Sequence, residues 1–328
     1  MRWALSLLFL LSLSILTLQH ECIGEENSTE SPLTIRVQVL NFDPFVAEQE
    51  KPLHEVCGWF DPRKLAEGYV ADVKESSGGF IQYEIVEWRD LDEFPVKKDG
   101  FRYSVESYLA CRKGTEKWHE PDLADYPRLA EDYGAIKLVD NDKVDELWIF
   151  GGPYFGFHES AMIGPQAFYI NGGVYNKVNS KRTFAVMGFN YERGAAEMMH
   201  NLSHRTESTM SRVYGGWKAE VLSNNWARFA ANLQQSGEAG VGNCHYPPNA
   251  ESDYDYSNKR EVESSAIDWL SYPKLTGRKS VVNCETWGGP DFHRNYMKWW
   301  FAHLPRKEGT HETDGKLNNW WRYVYELN

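Results

Sequence analysis

After residue 24 the chain holds no apolar run long enough to cross a bilayer, which excludes a spanning membrane protein built on later segments. Positive charge is also short. Thirty-five Lys and Arg against 47 Asp and Glu leave a formal net charge of −12, a balance that argues against nucleic acid and against anionic membrane surfaces as partners. The common catalytic signatures are missing: there is no G-x-S-x-G elbow, no P-loop and no G-x-G-x-x-G fingerprint. Cysteines are few, and no two are spaced as in a zinc ribbon, so structural zinc held by thiolates is not expected.

What is present begins with a basic Arg2, an apolar run from Trp3 to Leu18, and small residues at Cys22 and Gly24. This pattern predicts a secretory signal peptide over 1–24 and a secreted, extracytoplasmic mature protein. The polar stretch 25–33 then reads as a disordered lead. Removing 1–24 takes away Arg2 and Glu21, one charge of each sign, and leaves the balance unchanged. It also leaves Cys57, Cys111, Cys244 and Cys284, an even set in an exported chain, so two disulfides are expected, with Cys57–Cys111 and Cys244–Cys284 favoured among three pairings.

An aromatic content of 14%, with 13 tryptophans, supplies a large core. The stretches 34–42, 80–88 and 144–152 read as strands, 183–194 as a strand running straight into a helix, and 61–77, 104–112, 123–133 and 194–213 as helices. This alternation predicts an α/β fold with a mixed, partly parallel sheet flanked by helices, one domain over 34–328. From about residue 224 the texture turns loop-rich and aromatic.

In open α/β sheets, sites gather where strands end and loops turn into helices. Those exits deliver Asp43, Glu159, Glu192 and Arg193. The helix that follows carries Glu197, His200, His204 and Glu207, spaced 3, 4 and 3 apart and therefore on one stripe opposite Met198, Leu202 and Met210. The stripe is either the wet side of an amphipathic helix or a site covered by later chain. His200 and His204 have the i, i+4 spacing of helical zinc ligands, although Asn201 stands where H-E-x-x-H has its glutamate. Glu207 or His245 is then the expected third ligand, and Glu197, Glu192 or Glu159 the base; His303 is a further candidate histidine.

The segments "VDELWIFGGPYFGFHESAM", "MGFNYERGAAEMMHNLSHRTES", "CHYPPNAESDYDY" and "KWWFAHLP" resemble a family of secreted proteins to which no activity is assigned. The resemblance spans most of the mature chain and implies one fold along it. Chemistry must come from the residues. The leading expectation is a metal-dependent hydrolase of an extracellular peptide or glycan, using zinc or another divalent metal, with Arg193 as part of the catalytic set and Asp43, Arg205 and Trp300 binding substrate. Two alternatives compete: a metal-free glycan enzyme pairing carboxylates among Asp43, Glu159 and Glu192 with exposed tryptophans stacking on sugar rings, and a noncatalytic glycan- or protein-binding module using the Trp/Asn-rich second half. The sequon Asn201-Leu202-Ser203 offers a check, because a glycan there needs an open face.

Overall fold

The computed structural model describes residues 30–328; the expected signal peptide and most of the lead lie outside the described residues. The end of the lead is fastened. The Glu30 carboxylate accepts from Asn319 at 2.8 Å and Arg322 at 2.9 Å, and the first strand starts at Leu33.

Strand β1 (Leu33–Phe42) alternates apolar residues on both faces and leads to helix α1 (Pro62–Ser76), capped by Asp61 with proline in its first turn. There follow β2 (Ile81–Leu91), α2 (Val105–Arg112), α3 (Tyr126–Asp132), α4 (Ala135–Asp140) and β3 (Glu146–Gly151). The short strands β4 (Ser160–Ile163) and β5 (Val174–Tyr175) precede β6 (Phe184–Asn190) and the long α5 (Ala195–Val213). In the last third, α6 (Phe292–Ala302) and α7 (Trp320–Tyr325) are the elements that pack on α5.

The sheet order is β2-β1-β3-β6-β4-β5. All neighbours are parallel except β4, which runs antiparallel to β6, so the α/β mixed sheet is as expected. Both faces are buried. Val37, Val39, Trp148, Phe150 and Phe189 face α1, α5, α6 and α7, while Leu40, Phe42, Ile149 and Val186 face α2, α3 and α4. Burial on both sides is why these strands read as continuous apolar runs.

The tryptophans of the last third belong to the core. Trp226, Trp300, Trp320 and Trp321 are fully buried, and no described tryptophan is among the exposed large side chains. The expected disulfides are also corrected, since Cys57, Cys111, Cys244 and Cys284 are free thiols. Cys244 is instead held by hydrogen bonds, accepting from the Ser203 hydroxyl at 2.6 Å and donating its N–H to Glu207 at 2.8 Å.

Candidate metal centre

Crossing from β2 back over β1 to β3 places the topological switch between the carboxyl ends of β1 and β3, the usual ligand crevice of such sheets. Here it is plugged. A Cβ on Gly152 would sit 3.0 Å from Trp59 and 3.2 Å from Tyr108, so aromatic rings already fill the gap. The open cleft, about 250 Å³, lies one strand along, at the ends of β3 and β6, lined by Tyr154, Glu159, Asn190, Arg193, Glu197 and Asn201 among others. Gly188 lets the chain around Glu159 close onto β6, for a Cβ there would meet the His158 carbonyl at 2.1 Å. Glu159 thereby comes to the side of α5.

Helix α5 is amphipathic in sequence but covered on nearly every side. Met198, Leu202 and Met210 enter the core as their spacing requires. On the opposite stripe His200 is only 2% exposed and Glu207 8%, because the loop after Gly242 and helix α6 lie over them. That loop is fixed by the aromatic core: Trp300 donates to the Gly242 carbonyl at 2.9 Å, Tyr296 to that of Asn243 at 2.9 Å and Tyr256 to that of Cys244 at 2.8 Å.

The result is a convergence of imidazoles. Ligand atoms of His200, His204, Cys244 and His245 all lie within 4.8 Å of one another, and Glu197, His200 and His293 form a second such group. His204 Nε2 faces His245 Nε2 at 3.1 Å, and His200 Nδ1 faces His293 Nε2 at 3.2 Å. The far nitrogens of the first pair are taken by carboxylates: His204 Nδ1 meets Glu207 at 3.0 Å and His245 Nδ1 meets Asp253 at 3.0 Å. A carboxylate fixes the proton on Nδ1 and turns the Nε2 lone pair inward. Two Nε2 atoms this close are answered by a single proton between them or by a cation, and two nitrogens each 2.0–2.1 Å from a tetrahedral ion stand about 3.3 Å apart.

The electrostatics are uneven. Burial and the neighbouring histidines push His200 down to about 2, so it stays neutral at any ordinary pH. Burial also lowers His293. His204 goes the other way: burial opposes its charge, but the hydrogen bond and charge of Glu207, helped by Glu159 and Asp253, raise it. Burial, reinforced by Glu207, holds the Cys244 thiol protonated.

Several expected site residues stand elsewhere. Glu207 orients His204 and the Cys244 amide, so it supports the cluster rather than facing its centre. Arg205, expected at the substrate, is fully buried against Glu146 at 2.6 Å; one residue past His204, it points to the other side of the helix. Trp300 is buried and touches the site only through the loop it holds. Asp43 pairs with His54 at 2.5 Å, and Glu192 is exposed; of the three carboxylates considered for a glycan pair, only Glu159 lines the cleft. His303 is spent on the Trp299 carbonyl at 2.8 Å. Arg193 and Glu197 form the expected i, i+4 pair at 3.6 Å. Asn201 is buried and donates to the Gly188 carbonyl at 2.7 Å, so the sequon is not presented to a glycosylating enzyme by the folded chain.

Sequence reasoning passed over His293, Asp253 and Tyr254. For the last two a signal existed: an acidic and aromatic run, "ESDYDY", following a loop histidine. His293 had none, being brought to His200 only by the packing of α6 on α5. Comparison of the chain with protein-family models, curated proteins and solved structures found no match, so the residues themselves carry the functional argument.

Proposed function

We propose that the protein is a secreted metal-dependent hydrolase whose ion, zinc by preference, is held by His200, His204 and His245. The observation that supports it most directly is the pair of Nε2 atoms 3.1 Å apart with both Nδ1 atoms occupied by carboxylates. Imidazole suits zinc, and three protein nitrogens with room for water is the arrangement of catalytic rather than structural sites. Bound there, the ion would lower the pKa of a water molecule and polarise the scissile carbonyl. Glu159 is the proton acceptor for that water. Its carboxylate lies 3.9 Å from His204 Nε2, opens on the cleft and is steadied by Asn171. Arg193, at the cleft's edge, is placed to meet substrate charge, with Glu197 tethering it.

Purified protein, dialysed and then supplied with zinc, is expected to retain about one equivalent, and His204→Ala and His245→Ala well under half of that. With a chromogenic acetate ester as probe, Glu159→Gln is expected to keep the metal and lose about 10²-fold or more in rate. Equal metal in wild type, His204→Ala and His245→Ala overturns the ligand set. Chelator-insensitive hydrolysis, or full activity in Glu159→Gln, overturns the mechanism.

A further inference from the structure

Consecutive residues Asp253 and Tyr254 grip one imidazole from both sides. The Asp253 carboxylate is 3.0 Å from His245 Nδ1, and the Tyr254 hydroxyl is 3.2 Å from His245 Nε2, the atom that also faces His204. The phenol oxygen thus stands about one tetrahedral edge from a ligand nitrogen, where a further ligand of the same ion would be. Its ring packs on His245 at 4.4 Å and lies nearly parallel to His200 at 5.7 Å. Two further observations set this residue apart. Tyr254 has φ +58, a conformation bulky side chains rarely adopt, and it is 52% exposed although its hydroxyl is turned inward. Backbone strain of this sort persists where surrounding structure enforces it, and the Tyr254 amide is tied to the His245 carbonyl at 3.0 Å.

We propose that Tyr254 is an exchangeable ligand of the ion, its oxygen closing the centre at rest and swinging to solvent when substrate takes its place. As the oxygen–metal bond forms, the phenol proton leaves to water; as substrate displaces the ring, the phenolate recovers a proton. The exposed ring needs only a side-chain rotation, because the turn is held independently by Asp255, which accepts from Glu251 at 3.0 Å and Asn258 at 2.6 Å. This inference rests on the metal reading above and adds to it a gate that the first three ligands do not require.

The test uses copper(II) alone, added at one equivalent to the metal-free mature protein, to Tyr254→Phe, and to Tyr133→Phe as a control that removes a tyrosine hydroxyl on the opposite face of the sheet. Wild type and Tyr133→Phe should develop a visible phenolate-to-copper charge-transfer band that Tyr254→Phe lacks while binding the same amount of copper. Copper bound without the band in wild type, or the band persisting in Tyr254→Phe, overturns the ligand role of Tyr254 and leaves the histidine site standing. No copper in any of the three removes the metal reading and this inference together.

Discussion

His204 and Arg205 are neighbours on α5, yet each belongs to a different kind of buried polar cluster. Arg205 points toward the sheet, where its guanidinium donates to Glu146 at 2.6 Å and to the Val324 carbonyl at 2.7 Å and lies 4.9 Å from the Tyr325 ring. Opposite charges answer each other there, and α7 is fastened to α5 and β3 in the process. His204 points away from the sheet into a group of imidazoles whose lone pairs meet, with carboxylates behind them. In the first cluster the charges meet their opposites and only the Arg205 Nε is left without a partner; the second gathers imidazole nitrogens at a point where a cation would fit. A buried charge met by its opposite is costly to break, whereas a convergence of imidazoles backed by carboxylates is a candidate ligand site.

The comparison breaks most visibly at Arg205. Arg205→Ala strands Glu146 in the interior, and the loss is expected to be about 3–5 kcal/mol by urea denaturation, with the folded fraction binding as much zinc as wild type. Replacing both partners by apolar residues, Arg205→Met with Glu146→Leu, should recover most of that loss, because the cost lies in the uncompensated charge. If the single variant also loses zinc, the two clusters are not separable.

Glu207 sharpens the other side. Its two oxygens orient His204 and the Cys244 amide, so Glu207→Gln keeps the shape, retains only one of the two accepting atoms and withdraws the charge. Zinc affinity should fall about 10–100-fold, measured by competition with a chromophoric chelator, while the metal-free protein loses about 1–3 kcal/mol for the one donor left unmet. An unchanged affinity would mean that His204 is oriented by packing alone.

How much of this was legible in the sequence follows from what is local and what is not. Alternating β-branched residues, Asp61 with Pro62, and the methionine stripe of α5 act within one element, and those elements lie close to where the pattern puts them. The extra helix Ala135–Asp140 and strands β4 and β5 are too short to show a period. His200 and His204 were visible as a spacing. Whether their face was wet was not, because Asn243–Tyr256 and α6 cover it from 40 to 90 residues away through contacts no local pattern encodes. The same gap explains the tryptophans and Arg205. Composition shows that such residues are present, and only packing decides whether a ring stacks on a ligand or a guanidinium meets an acid inside.

The smallest expected effect is a dependence on pH, and its sign follows from the opposed shifts of the two helix histidines. Metal binding requires both imidazoles unprotonated. His200, held neutral down to about 2, never competes for the ion with a proton above that pH. His204 does, because Glu207, Glu159 and Asp253 raise it despite burial. As pH falls through that raised value, the proton on His204 must be displaced, and this helix pair contributes a loss of about tenfold in affinity, or about 1.4 kcal/mol, per pH unit. Two solvated histidines would give about a hundredfold per unit below their ordinary pKa. In Glu207→Gln the charge that raises His204 is gone, so the fall must begin at lower pH, even though the affinity at neutral pH is weaker. Titrating zinc against a chelator from about pH 5 to 8 in both proteins decides it, since a profile that keeps its midpoint in Glu207→Gln would leave the raised imidazole without its cause.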